Sequence, residues 1–142
     1  MSVRRVVFDT STLVSAALRP DSIPYKALHQ AMRSCDLCAS EATLAELKDV
    51  LLREKFRRYL PDSARHEFLL TIENHVRLFA VRKEDFIVLN PGCRDPKDNK
   101  FLVLAAVSEA KVLVSSDQVL LVLDPWNEVR VMLPGDFLNL VG

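Results

Sequence analysis

Two aspartates stand directly behind apolar runs that read as buried strands: Asp9 follows Arg5-Val6-Val7-Phe8, and Asp117 follows Val112-Leu113-Val114 and two serines. Parallel strands all end at one edge of their sheet, and ligands of such folds bind at that edge. Asp9 and Asp117 are therefore expected side by side, because right-handed crossovers tend to bring a first and a fourth strand together at a switch point. Asp98 has two readings. Asp95-Pro96-Lys97-Asp98 matches a helix start, with Asp95 as N-cap, Pro at the first helical position and an acid at the third. A carboxylate in such a first turn is also fixed in direction and can reach the strand ends. Glu46 lies near the margin of a helical stripe made by Leu44, Leu47 and Leu51. It has no basic residue at i+4, unlike Asp49–Arg53 and Glu54–Arg58, which have the spacing of surface ion pairs. Glu41, beside the end of the second strand, is a rival for the same role.

Carboxylates that converge raise one another's pKa unless a cation neutralises them. An all-oxygen donor set favours Mg²⁺ or Mn²⁺, and Mg²⁺ keeps waters and takes few protein ligands. Such an ion orients and deprotonates a water for attack at phosphorus. Four acids can hold one or two ions.

The elements that must position these residues follow from the apolar patterning. Pro24 fits the first turn of a helix with Ala27, Leu28, Ala31 and Met32 on one side. Cys35–Ala39 reads as the second strand, and Ser40 as the N-cap of a helix running to about Phe56. After Pro61, a further helix shows Ala64, Phe68, Ile72 and Val76 at intervals of four. Phe86-Ile87-Val88-Leu89 is expected to be the third strand. A helix from Asp95 is apolar nearly all round through Phe101–Val107 and should be buried. Val112–Val114 forms the fourth strand, Val129–Met132 the fifth, and a short helix holding Phe137, Leu138 and Leu140 closes the chain. Strands apolar on both faces and alternating with helices predict an α/β fold: a three-layer α/β/α sandwich around a parallel sheet of about five strands. The 142 residues are expected to form one domain, 1–142.

Composition narrows the function classes. The 19 basic and 19 acidic residues cancel, which excludes a strong global field for nucleic acid but leaves room for a local basic rim. No apolar run approaches the roughly 20 residues of a membrane span. The N-terminus lacks the pattern of a signal peptide, and three cysteines suit a reducing cytoplasm better than a disulfide framework. Cys35 and Cys38 form a CxxC, but residues three apart on a strand face opposite sides and cannot share a metal. His66 and His75 lie nine residues apart on one helix, about 180° around it, and cannot ligate one ion together; His29 stands alone.

The chain resembles a PIN domain, in the branch grouped with type II toxin–antitoxin toxins. The resemblance is carried by Val6-Val7-Phe8-Asp9-Thr10-Ser11-Thr12-Leu13-Val14-Ser15-Ala16, by Glu46-Leu47-Lys48-Asp49-Val50-Leu51 with Lys55-Phe56, by Cys93-Arg94-Asp95-Pro96-Lys97-Asp98-Asn99-Lys100-Phe101-Leu102 with Ala105, and by Leu113-Val114-Ser115-Ser116-Asp117. It implies a Mg²⁺- or Mn²⁺-dependent ribonuclease that leaves a 5′-phosphate and a 3′-hydroxyl. By motif position it assigns Asp9, Glu46, Asp98 and Asp117 to metal binding and catalysis, and it raises Glu46 above Glu41. Thr10, Ser11, Asp95 and Ser115 would support them. Relatives often pair with a small antitoxin protein, and many form a homodimer.

For an RNA substrate, Arg94, Lys97 and Lys100 around Asp98 are candidates to meet phosphates, whereas Arg53, Lys55, Arg57 and Arg58 read as solvated surface. Tyr25, Tyr59 and Trp126 are the stacking candidates. The sequence departs from the family pattern at Ser11, where Asn is common, and at Ser116, where Gly is common. It also has Val119 where an acid often follows the last metal Asp, which points to one ion rather than two. Two alternatives come from other classes. A haloacid-dehalogenase-like phosphatase also opens on a strand and Asp, but it needs a second Asp where this chain has Ser11. An inactive PIN-fold module would bind RNA or a protein without cutting.

Overall fold

The computed structural model describes residues 3–142. Among them, Arg5–Phe8 (β1), Asp36–Ala39 (β2), Arg77–Leu78 (β3), Val112–Val114 (β4) and Arg130–Met132 (β5) pair in parallel in the order β3-β2-β1-β4-β5. The helices are Thr10–Leu18 (α1), Ile23–Ser34 (α2), Glu41–Leu51 (α3), Asp62–His75 (α4), Asn99–Ser108 (α5), Gln118–Leu121 (α6) and Pro134–Val141 (α7).

Alternation along the strands sorts the core into two layers. Val6, Phe8, Val112 and Val114 pack with residues of α1, α2, α3, α4 and α7, while Val7, Leu113 and Val131 pack with α5, Leu120 and Trp126. The result is the α/β/α arrangement expected from strands apolar on both faces. Cys35 and Cys38 fall in opposite layers, as their spacing requires. The helix α5 is buried along Phe101–Ala105, in keeping with its all-round apolar sequence.

Several expectations are corrected. Phe86–Leu89 is not the third strand: Lys83–Val88 forms 3₁₀ turns, and Ile87 is 88% exposed. The outer edge of β2 is already taken by β3, which follows α4 after one residue and pairs Arg77 with Cys38 and Leu78 with Ala39. The helix from Ser40 ends at Leu51 rather than Phe56, and Glu54–Phe56 is a separate 3₁₀ turn. The buried side of α4 is Arg65, Leu69 and Ile72, so the expected stripe is displaced by one residue over its first two turns. Arg65 accounts for this. Its guanidinium, 1% exposed, donates to the carbonyls of Leu51, Arg53 and Leu60 and pairs with Asp62, closing the end of α3.

Neither α1 nor α6 was foreseen as a helix. Each begins on a candidate acid: Asp9 is the N-cap of α1 and Asp117 that of α6. No helix among the described residues is long and apolar enough to cross a membrane.

Candidate active site

The register of the two central strands sets the geometry. Pairing of Phe8 with Val114, continued by the Asp9 N–H to Val114 carbonyl bond of 3.1 Å, brings Asp9 level with Ser115 at the carboxyl edge. Asp9 is 3% exposed. Its Oδ1 accepts from the Thr12 N–H at 2.9 Å and from the Ser11 hydroxyl at 3.3 Å, and its Oδ2 accepts from the Ser115 hydroxyl. Burial pushes its pKa up, and the bonds from Ser115, Thr12 and Ser11 oppose that shift. Asp117 reaches the same place from β4, with Oδ1 accepting from the Val119 N–H at 2.9 Å. Both aspartates thus cap helices and face a common cavity, so the cap and site roles coexist.

That cavity measures about 420 Å³ and is lined by Asp9, Glu46, Asp98 and Asp117 together with Thr10, Ser11, Arg19, Phe56 and Phe101, among others. Asp98 ends the 3₁₀ turn Pro96–Asp98 that leads into α5, and it makes no side-chain capping bond. Capping falls to Asp95 alone, whose Oδ1 accepts from the Lys97 N–H at 3.2 Å. The Asp98 carboxyl is therefore unengaged by the helix. Burial and the neighbouring charges of Asp117, Asp95, Glu46 and Asp9 push its pKa up to about 6. The three other carboxylates of the cavity are all close enough to be felt there.

Glu46 enters from α3 and forms an ion pair with Lys100 of α5. Glu41, its rival, is exposed and lines a neighbouring cavity instead. Among the described residues, no three His, Cys, Asp or Glu side chains are drawn together tightly enough to close on an ion as they stand. The donors nonetheless fit a hard cation that keeps waters of its own. All are oxygens, and Thr10, a residue of the same cavity wall, has an Oγ1 that is buried without a hydrogen-bond partner.

Arg94 and Lys97 are exposed beside Asp98, while Lys100 is half-buried against Glu46. Of the aromatic candidates, Trp126 is excluded from stacking, being 2% exposed with its indole N–H bonded to the Pro91 carbonyl. Tyr25 packs edge-on to His29, and Tyr59 is exposed beside Arg58. Arg19, a cation in the cavity wall, was not singled out from sequence. It ends α1, and without that helix nothing in the sequence links it to Asp9.

A fold and site of this kind define a class. Residues 5–119 match the family model described as PIN domain, and the chain belongs to that family. It is 31% identical over 125 residues to the uncharacterized protein MJ1680 of Methanocaldococcus jannaschii, a match covering 87% of this chain and 77% of that protein. Among solved structures it is similar to PAE2754 from Pyrobaculum aerophilum (TM-score 0.64, 18% identity, covering 97% of this chain and 89% of the other). It is also similar to VapBC2 from Rickettsia felis, solved bound to a DNA fragment from their promoter (TM-score 0.63, 12% identity, covering 89% and 96%). A third likeness is to VapC20 of Mycobacterium tuberculosis, described as a sarcin-ricin loop cleaving toxin (TM-score 0.53, 13% identity, covering 80% and 90%). At these identities the structural likenesses speak for the fold.

Proposed function

We propose that this protein is a divalent-metal-dependent ribonuclease of the cytoplasm and the toxin half of a toxin–antitoxin pair. The observation that carries this reading is the convergence of Asp9, Glu46, Asp98 and Asp117, from four separate segments, on one cavity at the sheet edge. Membership in the PIN domain family supports it, and so do the likenesses to VapC20, a sarcin-ricin loop cleaving toxin, and to VapBC2, solved bound to a DNA fragment from their promoter. The second of these supports a small antitoxin as partner.

Asp9, Asp98 and Asp117 would hold the ion, with Glu46 at the margin of the set. When bound, Mg²⁺ or Mn²⁺ supplies a nucleophilic water and charge stabilisation at the phosphoryl oxygens. The chain does the positioning. Ser115 and Thr12 fix the direction of Asp9, and the amide of Val119 fixes Asp117. Arg19 in the cavity wall, with Arg94 and Lys97 outside it, offers charge to the RNA backbone.

The test is incubation of the pure protein with a mixed RNA pool and Mn²⁺ or Mg²⁺, beside Asp9→Asn and Asp117→Asn. Cleavage by the wild type alone, leaving 5′-phosphate ends, is the expected result. Equal cleavage by all three proteins would overturn the assignment. Retention of RNA on a filter without cutting would favour a second reading, a PIN-fold module that binds and does not cleave. The open spacing of the carboxylates and the apolar Val119 are the observations on that side.

A further inference from the structure

Lys100 stands where helix electrostatics disfavour it. It is the second residue of α5, in the first turn, where unpaired N–H groups already give the helix end a partial positive charge. Its side chain is only 25% exposed, so part of its hydration is lost as well. Glu46 offsets both costs: its Oε2 accepts from the Lys100 ammonium, and its own side chain is 27% exposed. The ammonium also lies 5.6 Å from the centre of the Phe101 ring, which itself lines the acidic cavity.

The pair forms a partition. Glu46 lines the cavity that holds the three aspartates, and Lys100 lines the neighbouring cavity beside Glu41, Phe79 and Phe86. Four carboxylates share the first cavity, and Lys100 neutralises one of them. On the side of Asp117, position 119 offers no further acid, since Val119 packs against the apolar layer under α5. A second metal ion would thus have to displace an ammonium from Glu46 or do without Glu46.

Building on the ribonuclease reading, we propose that the Lys100 ammonium is the second cation of this site. Glu46 holds Lys100 rather than a metal ion, and a single divalent ion belongs to Asp9, Asp98 and Asp117. Bonded to Glu46, the ammonium supplies at the margin of the acidic cavity the positive charge that a second ion would otherwise bring, and Glu46 fixes its direction.

The test is a Mn²⁺ titration of the full chain without RNA, read by electron paramagnetic resonance and calorimetry. Wild type should take up one Mn²⁺ per chain. Glu46→Gln leaves the Lys100 charge uncovered and should weaken Mn²⁺ binding by about tenfold while keeping one ion per chain, whereas Asp9→Asn should abolish uptake. Lys100→Met frees Glu46 and should tighten Mn²⁺ binding by about tenfold or add a second ion, and Lys100→Arg should keep the wild-type stoichiometry. Two ions in wild type, a loss in Glu46→Gln as deep as in Asp9→Asn, or unchanged binding in Lys100→Met would each overturn the proposal. If circular dichroism shows Lys100→Met to be unfolded, the wild-type stoichiometry and Glu46→Gln decide it unaided. These titrations need no RNA, so failure to cut any RNA sinks the ribonuclease reading and leaves the Lys100 result standing.

Discussion

The Ser115 hydroxyl donates to Asp9 Oδ2 and accepts from the Asp117 N–H at 2.9 Å, so one fully buried side chain joins the acids that end β1 and β4. Ser115→Ala removes a bond to a buried carboxylate, which costs about 1.5–3 kcal/mol in comparable cases. The loss should appear as a lower urea midpoint with an unchanged slope. The Asp9 pKa should rise further, because the Ser115 bond is the strongest influence holding it down. Mn²⁺ binding by Ser115→Ala should weaken accordingly.

A second prediction concerns pH. Asp98 titrates near 6 in the folded chain against an ordinary 3.8, so between those values the folded state keeps a proton that the unfolded state has released. Its contribution to stability is fully present below pH 3.8 and is lost as pH rises through about 6. Asp9 is shifted in the same direction. Asp124, which Arg130 holds low, acts in the opposite sense but only below its ordinary pKa of 3.8. Thermal melts of the metal-free protein should therefore show a midpoint that falls from pH 5 to 7. Asp98→Asn should flatten this fall and melt higher than wild type at pH 7. Added Mn²⁺ should restore the wild type there and leave the variant unmoved.

The cations around the cavity yield a third. In an Asp9→Asn background that cannot cut, Arg19→Gln should weaken RNA binding and lower the slope of log affinity against log salt by roughly 0.7 if it meets one phosphate of a single strand. Arg94→Gln with Lys97→Gln should reduce the slope further. Fluorescence anisotropy across a salt series checks both.

Arg65 offers a fourth, remote from the chemistry. Replacing it with Met leaves the carbonyls of Leu51, Arg53 and Leu60 without their shared donor in a buried place. A loss of about 3 kcal/mol is expected from chemical denaturation. Arg65→Lys should recover little of it, since an ammonium cannot span three carbonyls with the geometry of the planar fork.

The sheet edge was legible in the sequence because Asp9 and Asp117 each follow a short run that can only be a buried strand. Cys35 and Cys38 do fall in separate layers, although the strand begins one residue later than expected and Cys35 is the C-cap of α2. The third strand was not legible: Arg77–Leu78 is two residues long and exposed, too brief for any periodicity, whereas the exposed apolar run Phe86–Val88 imitates a strand. Arg65 was missed because a charged residue on a buried helix face contradicts the apolar pattern that defines the face. Among the candidate site residues, Asp98 was balanced between cap and site, and its lack of a capping bond separates the two. Lys100 read as rim because its partner lies 54 positions away on another helix, a distance no local spacing reveals.

The bond between Ser115 and Asp9 spans 106 positions of the chain. A ribosome that has delivered β1, β2 and β3 has made a polypeptide with Asp9 and Glu46 in hand and nothing to bring Asp98 or Asp117 beside them. Only when β4 slots in next to β1 does the acidic cavity come into being. The cavity therefore belongs to the whole sheet rather than to any one segment: a chain that stops short of β4 lacks both Asp117 and the strand that seats it beside Asp9.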